Sequence, residues 1–202
     1  GKDADGKPLQ GQEHAFYLPA DDDGDGRIDH IVVYARSGFD ESCRAALESL
    51  HRIWGHGGHD LYLALVGFGA PADYGGLRDQ RNGATALAAH ARVWESRTPI
   101  ILPRHTKYRR GSWIDTPEDQ LRTMLAQIGR SEPVIVERTA GTHVRGAELP
   151  WYRFRRERSQ GGGRRAGSTG HGFRITFAEP IQGPIAVGYG AHVGLGQFVG
   201  VQ

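Results

Sequence analysis

Three stretches of this 202-residue chain carry residue types that do chemistry at spacings that suit it. Gly188, Gly190, Gly194 and Gly196 punctuate a segment that also holds Tyr189, His192 and Phe198. Glycines at spacings of 2, 4 and 2 leave backbone N–H groups open to close approach by a phosphate, or let strands cross closely. No Gly-Lys-Ser/Thr follows and no helix is expected after it, so it is neither a P-loop nor a dinucleotide fingerprint. A second stretch, Trp151-Tyr152-Arg153-Phe154-Arg155-Arg156, interleaves aromatics with arginines ahead of a glycine run. Such a segment can stack on bases and pair with phosphates. The third, Arg104-His105-Thr106-Lys107-Tyr108-Arg109-Arg110, sets an imidazole among cations just after an expected strand.

An acidic loop stands apart from these. Asp21, Asp23 and Asp25 fall at positions 1, 3 and 5 of a calcium loop, Gly26 at the turn and Asp29 at position 9. Position 12 is Val32 where a bidentate Glu is required, so the loop is no EF-hand. A structural Ca²⁺ held with a more distant carboxylate is one reading, and a tight Asp/Gly turn is the other. His14 and His30 flank this loop at the starts of two expected strands and could face one site. His51, His56, His59 and His90 have no acidic or nucleophilic neighbours arranged around them and read as structural or surface residues.

The elements that must position these residues read as α+β. Strands are expected at 14–18 and 30–35, and a helix capped by Asp40 carries Cys43, Ala46, Leu47, Leu50 and Ile53 before Gly55 stops it. Residues 61–68 read as a buried strand, 84–94 as helix or strand, and 96–102 as a strand ending at Pro103. Thr116-Pro117-Glu118-Asp119 opens a second helix with stripe Leu121, Met124, Leu125 and Ile128 and a stop at Gly129. Residues 134–136 form a short strand, Phe173, Ile175 and Phe177 alternate as a half-buried one, and a Gly183-Pro184 turn leads into 185–187. Strand, helix and antiparallel strands thus recur, which points to two ferredoxin-like (RRM-like) units at 14–95 and 96–202, after a linker at 1–13.

Bulk composition narrows the classes. The single cysteine, Cys43, excludes an intrachain disulfide and a thiolate metal cluster. No signal peptide or spanning apolar run is seen, so a reducing cytoplasmic setting without membrane is the expectation. A start without Met suggests a fragment or a processed chain. The net charge of +2 hides a split: residues 1–103 hold 10 Lys/Arg against 15 Asp/Glu, and residues 104–202 hold 15 against 8. Segregated positive charge favours a polyanion.

Residues 14–19, 23–30, 99–105 and 183–198 together resemble the processing half of the fused backbone-and-processing subunit of type I-U (I-G) CRISPR systems. More broadly, the glycine loop is similar to that of CRISPR repeat-processing endoribonucleases. The resemblance implies binding of repeat or guide RNA among other effector subunits, and metal-independent cleavage leaving a 2′,3′-cyclic phosphate. RNA supplies its own 2′-OH nucleophile, so the protein must provide a base, an acid and cations for the phosphorane. Histidine serves either proton role near pH 7. The candidates in order are His14, His30 and His105, with Lys107 or Arg104 for charge. Arg109, Arg110, Arg153, Arg155, Arg156 and the glycine loop would hold the backbone, and His192 would stack or assist. Two alternatives stay open: an inert guide-RNA-binding subunit, and a calcium-stabilised interaction module unrelated to RNA.

Overall fold

The computed structural model describes residues 14–58, 60–75, 85–154 and 169–201. Linker 1–13, His59, Arg155 and Arg156 lie outside them. In chain order the elements are β1 (Phe16–Ala20), β2 (His30–Tyr34), α1 (Glu41–Glu48), β3 (Arg52–Ile53), β4 (Leu61–Tyr62), β5 (His90–Ser96), β6 (Ile100–Ile101), β7 (Lys107–Arg109) and β8 (Ser112–Ile114). There follow α2 (Pro117–Gln127), β9 (Ile135–Thr139), β10 (Gly141–Val144), β11 (Ala147–Pro150), β12 (Gly170–Gln182), β13 (Ile185–Ala186) and β14 (Gln197–Val201). The fold class is α+β with antiparallel sheets.

One six-stranded sheet organises the chain. Its order is β13-β14-β5-β12-β6, with β9 also on β12, and every pairing is antiparallel. Phe173, Ile175 and Phe177 alternate inward on β12 and are fully buried, as their period of two requires. They meet Trp94, Ile185 and Phe198 from neighbouring strands and Leu121, Met124 and Leu125 from α2. The capping box foreseen for α2 is present: Thr116 Oγ1 accepts from the Asp119 N–H and Asp119 Oδ2 from the Thr116 N–H. A second apolar cluster lies under the β1–β2 hairpin, where Leu18 and Ala20 pack on Leu87, Ala186 and Ala191.

Several expectations are corrected. Among the described residues, 14–95 form only the two-stranded β1–β2 and β3–β4 sheets, and β5 crosses the expected boundary at 95 to join β12 and β14. The helix capped by Asp40 ends at Glu48, so Ile53 falls in β3. The expected buried strand at 61–68 is the two-residue β4, and Tyr62 and Val66 are 79% and 64% exposed. An apolar run shows what a segment can bury, and no layer covers this one among the described residues. The 84–94 ambiguity resolves into a 3-10 turn, Ala86–Ala88, followed by β5.

Candidate nucleic-acid interface

Both short hairpins of the second half turn on an Arg-Gly pair. Arg110 and Gly111 join β7 to β8, and Arg145 and Gly146 join β10 to β11. All four have positive φ, between 51° and 81°, as a two-residue turn matching strand twist demands. Each arginine accepts a left-handed backbone and is thereby fixed at a hairpin tip.

The β7–β8 hairpin places its aromatics and cations in solvent. Tyr108 and Trp113 sit opposite each other in register, ring centroids 5.0 Å apart edge to face, and are 63% and 64% exposed. Lys107, Arg109 and Arg110 surround them, also exposed. Asp115 takes Arg104 at 3.3 Å and Lys107 at 4.0 Å, while Arg109 and Arg110 have no carboxylate partner among the described residues. The base of the hairpin is clamped from α2. Gln120, fully buried, donates through Nε2 to the carbonyls of Arg104 and Asp115 and accepts the Arg104 N–H at Oε1. His105 lies exposed beside this clamp.

The acidic loop closes on itself and on two arginines. Asp23 Oδ1 accepts from the Asp25 N–H, Asp25 Oδ1 from the Arg27 N–H and Asp29 Oδ2 from the Asp22 N–H. Arg97 Nη2 donates to Asp21 Oδ2 at 2.7 Å, and Arg145 Nε donates to the Asp25 carbonyl. Asp21, Asp23 and Asp29 bring ligand atoms within 4.8 Å of one another, and Asp25 stays outside that group. The donor set is the hard-oxygen kind that Ca²⁺ takes, and the buried Oδ1 of Asp21 has no hydrogen-bond partner among the described residues, so these three residues fit a cation. Arg97 already neutralises part of the same charge.

His30 stands at the loop end of the hairpin, paired with Ala20, and its Nδ1 is 3.4 Å from Asp22 Oδ2. Thr85 Oγ1 donates to the other oxygen of Asp22 at 2.8 Å, so the carboxylate is held on two sides. His14 precedes β1 at the opposite end, where Phe16 pairs with Tyr34. Two strand residues of separation per 6.8 Å put the two histidines about 20 Å apart along the hairpin. The expectation that they face one site is therefore corrected.

The glycine loop is mostly spent on its own architecture. The N–H groups of Tyr189, Val193, Gly194, Leu195 and Gly196 all donate to backbone carbonyls. Gly194 (φ 90°) rests on Pro19, whose Cδ would lie 2.7 Å from an added Cβ, and at Gly196 the Val187 carbonyl leaves no room for one. Gly188 and Gly190 are half-buried, also at positive φ, and His192 is exposed on the rim. In the second stretch, Trp151 is buried, with Nε1 donating to Thr139 Oγ1 and its ring tilted against Phe154, so among the described residues of that stretch Tyr152 and Arg153 are the exposed ones.

Besides Gln120, Asp22 and Arg130, two residues escaped the sequence reading. Trp113 is one, although the Arg110-Gly111 turn sets it across from Tyr108. His171 is the other, half-buried on β12, where burial first and Arg138 next push its pKa below the ordinary histidine value. Arg138 itself pairs in two-pronged fashion with Glu118. No described helix is long and apolar enough to cross a membrane. Comparisons with protein-family models, curated proteins and solved structures find no match.

Proposed function

We propose that this chain binds RNA and cuts it as a CRISPR-type repeat-processing endoribonuclease in the cytoplasm. The observation that carries the RNA reading is the clamped β7–β8 hairpin. Exposed aromatic faces next to cations without carboxylate partners are what a single strand stacks on and pairs with. The order β14-β5-β12-β9, with α2 crossing between β5 and β9, supports taking the sheet as one ferredoxin-like unit. RNA-recognition modules use such four-stranded frames.

Cleavage in this reading is attack by the RNA 2′-OH on its own phosphate. A base removes the 2′-OH proton, an acid protonates the departing 5′-oxygen, and cations balance the phosphorane. Among the histidine candidates His30 has the best support, because the Asp22 carboxylate lies 3.4 Å from its Nδ1, where it can orient the ring. His14, at the far end of the hairpin, stands as an alternative to His30 and not as its partner, and His105 remains a candidate as well, with Arg104 and Lys107 for charge. Calcium, if bound by Asp21, Asp23 and Asp29, would stiffen the hairpin next to His30.

A second reading is a subunit that holds guide RNA without cutting it. The 20 Å between the ends carrying His14 and His30 favours it, since no acid–base pair is assembled there. Labelled repeat RNA incubated with the protein in EDTA and run on a denaturing gel separates the two. Cleavage with a 2′,3′-cyclic phosphate end is the expected result, and binding without a cut would leave the holding role.

A further inference from the structure

At the β13 edge of the sheet the first hairpin meets the end of α2. Phe16, Tyr34 and Arg36 from one side and Ile128, Arg130 and Pro184 from the other line a pocket of 210 Å³. One wall is aromatic: Phe16 and Tyr34 are cross-strand partners with ring centroids 6.3 Å apart, and the Arg36 guanidinium lies 5.9 Å over the Phe16 ring. The opposite wall is Arg130. Its Nη2 donates to the Pro184 carbonyl at 3.0 Å, while its Nε is shut off from solvent and has no acceptor among the described residues.

This arginine is anomalous on charge. No carboxylate pairs with it among the described residues. Burial pushes its pKa down, and the like charge of Arg36 adds to that push, against an opposing effect of Tyr34. A guanidinium whose Nε is buried without an acceptor, with a second cation near it, is unfavourable until an anion meets it. The fork of an arginine matches phosphate and carboxylate best. An aromatic wall beside such an anion site suits a flat ring attached to the anion. Pockets that enclose a whole drug-sized ligand run to about 300–1,000 Å³, so this smaller one suits a single residue of a longer chain.

We propose that the pocket holds one nucleotide of a bound RNA, its phosphate between Arg36 and Arg130 and its base or ribose against Phe16 and Tyr34. That the nucleotide belongs to an RNA rests on the reading given above, whereas the nucleoside-phosphate site does not. The pocket lies at the end of the hairpin that His14 precedes by two residues, away from His30.

Thermal melting of the wild type, Arg130→Met and Arg36→Gln with and without millimolar AMP, together with binding of an oligoribonucleotide across salt concentrations, tests this. AMP should raise the wild-type Tm and leave both variants unmoved. Without ligand Arg130→Met should melt no lower than wild type, because it removes an uncompensated buried cation. The variants should bind the oligoribonucleotide more weakly, with the log–log salt slope reduced by about one. Failure of AMP to protect the wild type would overturn the pocket, as would variants with unchanged RNA affinity and slope. Should AMP protect the wild type alone while no RNA binds at all, the RNA reading falls and the nucleoside-phosphate site stands.

Discussion

Gln120 grips Arg104 on both sides of its backbone, donating to its carbonyl and accepting its N–H, each at 3.0 Å. The same amide nitrogen reaches the Asp115 carbonyl at 2.8 Å, so a single buried side chain on α2 holds both feet of the β7–β8 hairpin. Exposed aromatics presented on an unclamped loop would lose much of their binding energy to ordering. Gln120→Leu should therefore lower stability by about 2 kcal/mol, since it removes three part-buried hydrogen bonds to the backbone. Denaturant unfolding measures this, and RNA affinity should fall with it while the variant is still folded. A variant as stable as wild type would mean that water replaces the amide.

His30→Ala should slow RNA cleavage by roughly 10²–10⁴-fold with RNA affinity little changed, the usual cost of a lost general acid or base. Asp22→Asn should slow it less, because it removes the orienting partner at 3.4 Å and leaves the imidazole. Single-turnover rates on end-labelled repeat RNA give both numbers. Wild-type rates in His30→Ala would transfer the role to His14 or His105, and the same assay on those variants decides between them.

A repeat RNA with 2′-deoxyribose at the cut site should bind like the normal substrate and remain whole. The expectation follows from using the substrate's own hydroxyl as nucleophile. A cut in that strand would show that water or a side chain attacks.

Millimolar Ca²⁺ should raise the Tm of the wild type, and Asp23→Asn with Asp29→Asn should abolish the shift. Both carboxylates belong to the group whose ligand atoms converge within 4.8 Å. If the wild type melts identically in Ca²⁺ and EDTA, Arg97 and Arg145 suffice to close the loop.

Stability should decline in two acid steps. Burial holds the His171 pKa below its ordinary 6.5, with Arg138 adding to this and Glu118 opposing it. The unfolded chain then takes up that proton first, so stability is complete above about pH 6.5 and falls as pH drops below it. Glu118, its pKa lowered chiefly by the hydrogen bond from Arg138, contributes above its ordinary 4.5 and loses that contribution as pH falls further. Urea unfolding at a series of pH values should show the upper step vanish in His171→Gln. Persistence of that step in the variant would assign it to another group.

Signals confined to a few neighbouring residues were readable in the sequence. The Asp40 cap, the Thr116–Asp119 box, the inward alternation of Phe173, Ile175 and Phe177 and the two strands around the acidic loop all took the places their spacing indicated. What spacing could not convey was which strands would pair across long stretches of chain. Residues 61–68 looked like a buried strand because apolar content registers burial potential, and no partner layer is visible from within the segment. The spacing of the glycine loop allows either a phosphate to approach the space of four missing side chains from outside or the chain to pack closely on itself. Pro19, Ile101 and the Val187 carbonyl fill that space instead, which only the folded chain could show. Arg130 and Trp113 were silent for a related reason: each gains meaning from a neighbour brought to it by the fold.

The central position of β5 sets a timetable for the newborn chain. Val93 and Trp94 face Val201 and Gly200, more than a hundred residues later, and Trp94 also faces Ile175 on the other side. Contacts so remote in sequence are slow to close. During synthesis Trp94 leaves the ribosome with no strand on either side; β12 can close one side first, and the other stays open until residues 197–201 emerge. A ribosome stalled anywhere before that point would display an open strand edge, which makes incomplete chains of this protein natural clients for chaperones.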